Sequence, residues 1–244
     1  DAAASHMLQS GQQQQAYDLA ERSLYEALVQ RGRHGTVLEW VSRLPADELD
    51  RRPRLLLAAA WSLGTCERHV EAQQLVVRIL ARPDVDDALR CECALILGSA
   101  AVFADDLDRF AKLHQPWAEA PPLREPLLLQ MHANHTAFLA LINGEPALAR
   151  LRQQQASRGA PEAADRYIRG WGVFFIGLSY LWEGQVQPAE RLLRPALAEA
   201  EAFALGYQAY VVGAVYARSQ ILMEKDTNPD APLHAPLNRF NVYP

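Results

Sequence analysis

The stretch from Arg166 to Gly184 limits what this chain can become more than any other. It reads Arg-Tyr-Ile-Arg-Gly-Trp-Gly-Val-Phe-Phe-Ile-Gly-Leu-Ser-Tyr-Leu-Trp-Glu-Gly. Apolar residues at 167, 171, 174 and 178 share one helical face. After a tight turn at Gly184, those at 189, 192, 193, 196 and 197 repeat the pattern in a second helix that starts near Pro188. Gly170, Gly172 and Gly177 lie inside the first helix, where each costs about 1 kcal/mol against Ala. The expected reason is close approach of a neighbouring backbone, with Ala189 facing back across the turn. A hairpin this apolar needs neighbours on both sides.

The rest of the chain supplies them. Half of the 244 residues are hydrophobic, Ala and Leu dominate, and runs of alternating β-branched residues are almost absent, which predicts an all-α fold. A helix over Ala16 to Arg31 is punctuated by Gly32 and Gly35. Thr36 is placed to cap a short helix over Val37 to Arg43, followed by Pro45. Pro53 opens the next helix, running to Leu63, with Gly64 as its breaker. Val70 to Ala81 is its partner. Asp86 or Asp87 caps a helix through Ala104, and Asp105 or Asp106 caps one to about Ala118, so these carboxylates read as caps and not as acid/base pairs. Pro121-Pro122 is a break. Glu125 to Ile142 and Glu145 to Ser157 flank Asn143-Gly144. Gly159 to Pro161 separates this pair from Arg166, and Leu205 to Glu224 is a last helix.

Aligning the turns exposes a repeat. Trp61-Ser-Leu-Gly64 precedes Val70-Glu-Ala72, Leu141-Ile-Asn-Gly144 precedes Glu145-Pro-Ala147, and Leu181-Trp-Glu-Gly184 precedes Gln187-Pro-Ala189. Units spaced by roughly 34 to 45 residues fit helical-pair solenoids. The predicted fold is therefore a TPR-like right-handed α-superhelix of about five hairpins spanning residues 8–225. Asp1 to Met7 reads as an expression-tag remnant, and Gln9 to Gln15 as a fraying polar segment. Residues 226–244, with four prolines and no helical period, read as a linker or vector-derived tail without fixed structure.

The net charge of −5 is spread without a basic stripe, which argues against direct nucleic-acid binding. No apolar run is long enough to span a membrane. Cys66, Cys91 and Cys93 are odd in number and unpatterned, as in a reducing cytoplasm. No cofactor motif is present. His132 and His135, three apart beside Met131 and Asn134, can face one metal, but no third ligand is near in sequence. No serine stands in a nucleophile elbow, so no enzyme is expected.

The run Leu38-Glu-Trp40, Leu44-Pro45, Arg52-Pro53-Arg54-Leu55 and Ala60-Trp61-Ser-Leu63 resembles the large bacterial LuxR-type transcription regulators typified by the maltose regulator. The resemblance covers approximately Gln15 to Glu224. In that family a STAND-class ATPase precedes a superhelical sensor domain, and a helix-turn-helix domain closes the chain. No phosphate-binding loop is present here and no helix-turn-helix is legible, so the resemblance implies an isolated sensor domain. It implies a small-molecule effector, or a regulatory protein or peptide, bound in a concave groove, and self-association in the longer parent. Tyr167, Trp171, Tyr207 and Tyr210 are the candidate ring contacts, with Gln130, His135 and Arg169 as polar partners. The alternative is a protein-interaction scaffold without a small ligand.

Overall fold

The computed structural model describes residues 2–31, 33–158 and 166–223. Gly32, the expected break at Gly159 to Pro161, and the tail with Phe240 and Tyr243 lie outside them. Among the described residues every regular element is helical: α1 (Ala2–Gln9), α2 (Gln13–Arg31), α3 (His34–Arg43), α4 (Ala46–Asp50), α5 (Pro53–Thr65), α6 (His69–Leu80), α7 (Asp87–Phe103), α8 (Leu107–His114), a 3-10 turn (Gln115–Trp117), α9 (Pro126–Ile142), α10 (Pro146–Ser157), α11 (Arg166–Trp182), α12 (Val186–Ala202) and α13 (Gly206–Leu222). The chain divides into two compact units between Leu128 and Leu129.

In the first unit α5 is the hub. Leu55 through Leu63 are all buried, so this helix is enclosed on every side, as a helix without a polar face must be. It packs against α2, α3, α4, α6 and α7. The residues that carry the family resemblance do structural work here. Trp40 and Leu44 are buried, Pro45 precedes α4, and Pro53 fills the first position of α5. Arg52, 6% exposed, fastens α2 and α4 to the start of α5. It donates to the Glu48 carboxylate and carbonyl, to Asp18 Oδ1 at 2.8 Å and to Gln14 Oε1 at 3.1 Å. Its guanidinium also lies 5.4 Å from the Tyr17 ring centroid. Gln14 therefore belongs to an ordered helix, and residues 13–15 are the first turn of α2 where a fraying segment was expected.

In the second unit, Ala137, Ala140 and Leu141 of α9, Ala149 of α10, Phe174 and Phe175 of α11, Ala189 and Leu193 of α12 and Val212 of α13 form one core. The helix around Pro188 starts earlier than expected, at Val186, and continues past Pro195.

One turn recurs through both units. At Gly11, Glu67, Asp105, Gly144, Gly184 and Ala204 the backbone is left-handed, with φ between 53° and 80°. In each case its N–H reaches back three residues and the next N–H reaches back five, as in Gly184 to the Leu181 carbonyl at 3.0 Å and Gln185 to the Tyr180 carbonyl at 2.8 Å. The residue after the left-handed one then accepts the first bond of the following helix, so a single residue ends one helix and begins the next. From 67 to 105, 144 and 184 the steps are 38, 39 and 40 residues, and from 184 to 204 the step is 20. Five residues after the turn comes Ala16, Ala72, Ala149 or Ala189, each almost wholly buried, and after Asp105 the buried Phe110.

This corrects three points of the sequence reading. Gly64 lies inside α5, and Glu67 makes the turn. The alanine in phase after Gly144 is Ala149; Ala147 is exposed. Thr36 lies within α3, which begins at His34 after Arg33. Asp86 and Asp106 do cap, accepting from the Leu89 and Arg109 N–H groups at 2.8 and 3.0 Å.

The two glycines respond oppositely to a methyl group. Gly64→Ala places a Cβ at ordinary contact, 3.9 Å from Ile96, in a right-handed helix, and should stabilise by about 0.5–1 kcal/mol. Gly184→Ala meets no neighbour but forces φ near +73° on a side chain, and should destabilise by about 1 kcal/mol. Denaturant unfolding of both variants checks the pair.

Candidate functional site

Every candidate residue lies in the second unit, and its arrangement follows from how α11 meets its neighbours. Successive side chains turn by about 100° around a helix, which spreads the residues of α11 over several faces. Tyr167, Trp171, Phe174 and Phe175 form one face. There the Trp171 ring lies 6.0 Å from Tyr167, 5.5 Å from Phe174, 6.2 Å from Phe175 and 6.3 Å from Tyr207 of α13. Phe175 continues the row to Phe138 of α9 at 5.6 Å. The rings thus run across α9, α11 and α13, the alternate helices of this unit. Phe174 and Phe175 are buried, whereas Tyr167, Trp171, Tyr207 and Tyr210 keep part of their surface in solvent.

The polar candidates do not converge on those rings. Arg169 sits about 160° around α11 from Trp171 and donates to Glu199 Oε1 of α12 at 2.7 Å. Arg166 joins the same carboxylate at 3.7 Å and covers the Phe203 ring at 3.9 Å. His135 is 6% exposed and His132 8% exposed. Among the described residues no three His, Cys, Asp or Glu side chains are grouped to hold a metal ion. No described helix is long and apolar enough to cross a membrane.

Gln130, 5% exposed, belongs to a buried amide cluster. Its Nε2 donates to Asn134 Oδ1 at 3.1 Å and to Gln153 Oε1 at 2.9 Å. Gln153 Nε2 of α10 returns to Asn134 Oδ1 at 2.9 Å, and Asn134 Nδ2 donates to the Ile168 carbonyl of α11 at 2.8 Å. From the other side, Gln208 Nε2 of α13 donates to the Tyr167 carbonyl at 2.8 Å. Two amides from flanking helices therefore grip consecutive carbonyls of α11.

The glycines make that grip possible. A Cβ on Gly172 would stand 2.7 Å from Gln153 Oε1, and one on Gly170 would stand 2.6 Å from Gln208 Oε1. On Gly177 it would collide with the fully buried Leu193 at 2.8 Å. The glycines thus admit neighbouring side chains, not the neighbouring backbone that the sequence suggested.

A second polar cluster, in the first unit, escaped the sequence reading. Glu92 of α7, 9% exposed, accepts from Tyr25 Oη of α2 at 2.6 and 2.8 Å and from Trp61 Nε1 of α5 at 3.2 Å. Burial pushes its carboxyl above the usual carboxylate range, against the pull of the two donors. Burial also pushes the flanking Cys91 and Cys93 thiols up to about 12. A lone Glu in the run Cys91-Glu92-Cys93-Ala94-Leu95-Ile96-Leu97 was the available signal.

The chain matches no protein-family description, no curated protein and no solved structure.

The amide cluster is testable as one unit. Asn134→Ala removes the shared acceptor of two buried amides and should lower stability on the order of 2–3 kcal/mol. Gly172→Ala should act in the same direction. The double variant should lose less than the sum of the two, because both break one network. A double-mutant cycle in urea measures the coupling.

Proposed function

We propose that this chain is the effector-sensing part of a large LuxR-type regulator. Its hairpins build a TPR-like right-handed superhelix, and its ligand is a small-molecule inducer or a regulatory protein or peptide. The observation that carries the reading is the row of rings across α9, α11 and α13. Part of Tyr167, Trp171, Tyr207 and Tyr210 remains open to solvent in a row whose other members are buried. Large aromatic rings left partly uncovered offer flat apolar area at low entropic cost, suited to a ligand ring or an apolar side chain. The amide grip on the Tyr167 and Ile168 carbonyls fixes the helix that carries Trp171. Such fixing limits the ordering cost of binding.

The family resemblance supplies the rest: an ATPase and a DNA-binding domain elsewhere in the parent, whose self-association the effector promotes. The ligand can shift the parent between states only by its difference in affinity for them. Arg169, engaged with Glu199 on the far side of α11, is not part of this contact surface, so the rings and not a guanidinium dominate recognition.

A protein-interaction scaffold is the second reading. It is favoured by Val70 and Val77, seven residues apart on α6 and each 64% exposed, and by Trp182, 56% exposed. A screen of sugars, aromatic acids and short peptides by thermal shift and tryptophan fluorescence separates the two. A ligand of the sensor should stabilise the wild type and lose at least tenfold in affinity, about 1.4 kcal/mol, in folded Trp171→Ala or Tyr207→Leu protein. Binding that both variants retain would remove the rings from the site.

A further inference from the structure

Glu92 is a carboxylate in the wrong surroundings. It stands in the middle of α7, where Cys91 through Leu97 are all buried. Among the described residues no Lys, Arg or His lies within ion-pair distance of it. An ionised carboxylate out of water and without a counter-charge is disfavoured, and neutralisation relieves it. Its direct contacts come from two other helices, the Tyr25 hydroxyl on α2 and the Trp61 indole N–H on α5. The charged groups acting on it from further away oppose each other: Arg54 of α5 favours the ionised form, and Glu125 ahead of α9 disfavours it. On its own helix the neighbours are Cys91 and Cys93, both neutral thiols.

We propose that Glu92 is a proton-operated tie, holding α2 on α5 and α7 more firmly when its carboxyl is protonated than when it is ionised. The step is a single proton transfer from solvent to a carboxylate oxygen. Tyr25 donates to the ionised form. With the carboxyl protonated, the Tyr25 oxygen can accept the new O–H while Trp61 still donates to the other carboxyl oxygen. Ionisation instead leaves a charge that is best relieved by admitting water, and the side to yield is α2, joined to Glu92 by one side chain. The linkage has a defined sign. The folded carboxyl is raised above its unfolded value, so its contribution to stability is fully present below the unfolded pKa and is lost as pH rises through the folded one. An acid-strengthened junction is unusual, because most carboxylates weaken a fold as they protonate.

The test compares wild type with Glu92→Gln, which keeps the shape and cannot ionise. His69, held down to about 4, and Glu67, raised to about 7, also shift with burial and are common to both proteins, so the difference isolates Glu92. From acid to neutral pH the wild-type unfolding constant should rise relative to Glu92→Gln. The rise is up to about tenfold for each unit by which the folded pKa exceeds the unfolded one. Amide exchange of α2, corrected for intrinsic rates, should lose protection over the same range in wild type alone. Carbon NMR of the Glu92 carboxyl in the wild-type protein gives the midpoint directly, and so decides the matter even if Glu92→Gln fails to fold. Tyr25→Phe should move that midpoint up and Glu125→Gln should move it down, shifts that a packing role alone would not produce. A midpoint in the ordinary Glu range, or a pH-independent ratio of the two unfolding constants, overturns the proposal.

Discussion

Two backbone N–H groups at the end of a helix, reaching back three and five residues, are the constraint from which the rest follows. A left-handed residue between them satisfies the last carbonyls of one helix and leaves the next residue to open another. With so few residues in the turn, the two helices must lie side by side, and the side chain five positions on is driven against its predecessor. A small residue fits there best, which accounts for Ala16, Ala72, Ala149 and Ala189. The 38- to 40-residue spacing then follows from two helices and two connections.

Helices brought together in this way still have to fix their rotation, and here the polar residues decide. Buried amides are costly unless paired, so once paired they hold one arrangement against alternatives. Asn134 and Gln208 address main-chain carbonyls of α11, which restrains both slide and rotation of that helix. Arg52 does the same at the start of α5, through Glu48, Asp18 and Gln14. The apolar cores provide the driving force and these clusters the register.

How much of this could be read beforehand depended on whether a residue type betrays its backbone. Gly144 and Gly184 advertise positive φ and were legible. Glu67, Asp105 and Ala204 adopt the same conformation against their preference, and Gly64, three residues early, drew attention away from Glu67. Gly170, Gly172 and Gly177 were correctly singled out as needing a reason. That reason was a side chain from a distant helix, which local spacing cannot reveal. The aromatic row was visible as a cluster, and Trp171 beside Tyr207 follows from it. Gln130 and Arg169 looked like free polar groups because their partners, Asn134 with Gln153 and Glu199, come from elsewhere in the chain.

The thiols beside Glu92 carry a practical corollary. With Cys91 and Cys93 lifted to about 12, only about one molecule in ten thousand holds a reactive thiolate at pH 8 while α7 stays closed. Alkylating reagents will therefore mark these two positions almost solely in molecules whose α7 has come open, while exposed Cys66 marks every molecule. The chain thus contains its own clock for the breathing of its first unit and an internal standard to read it against.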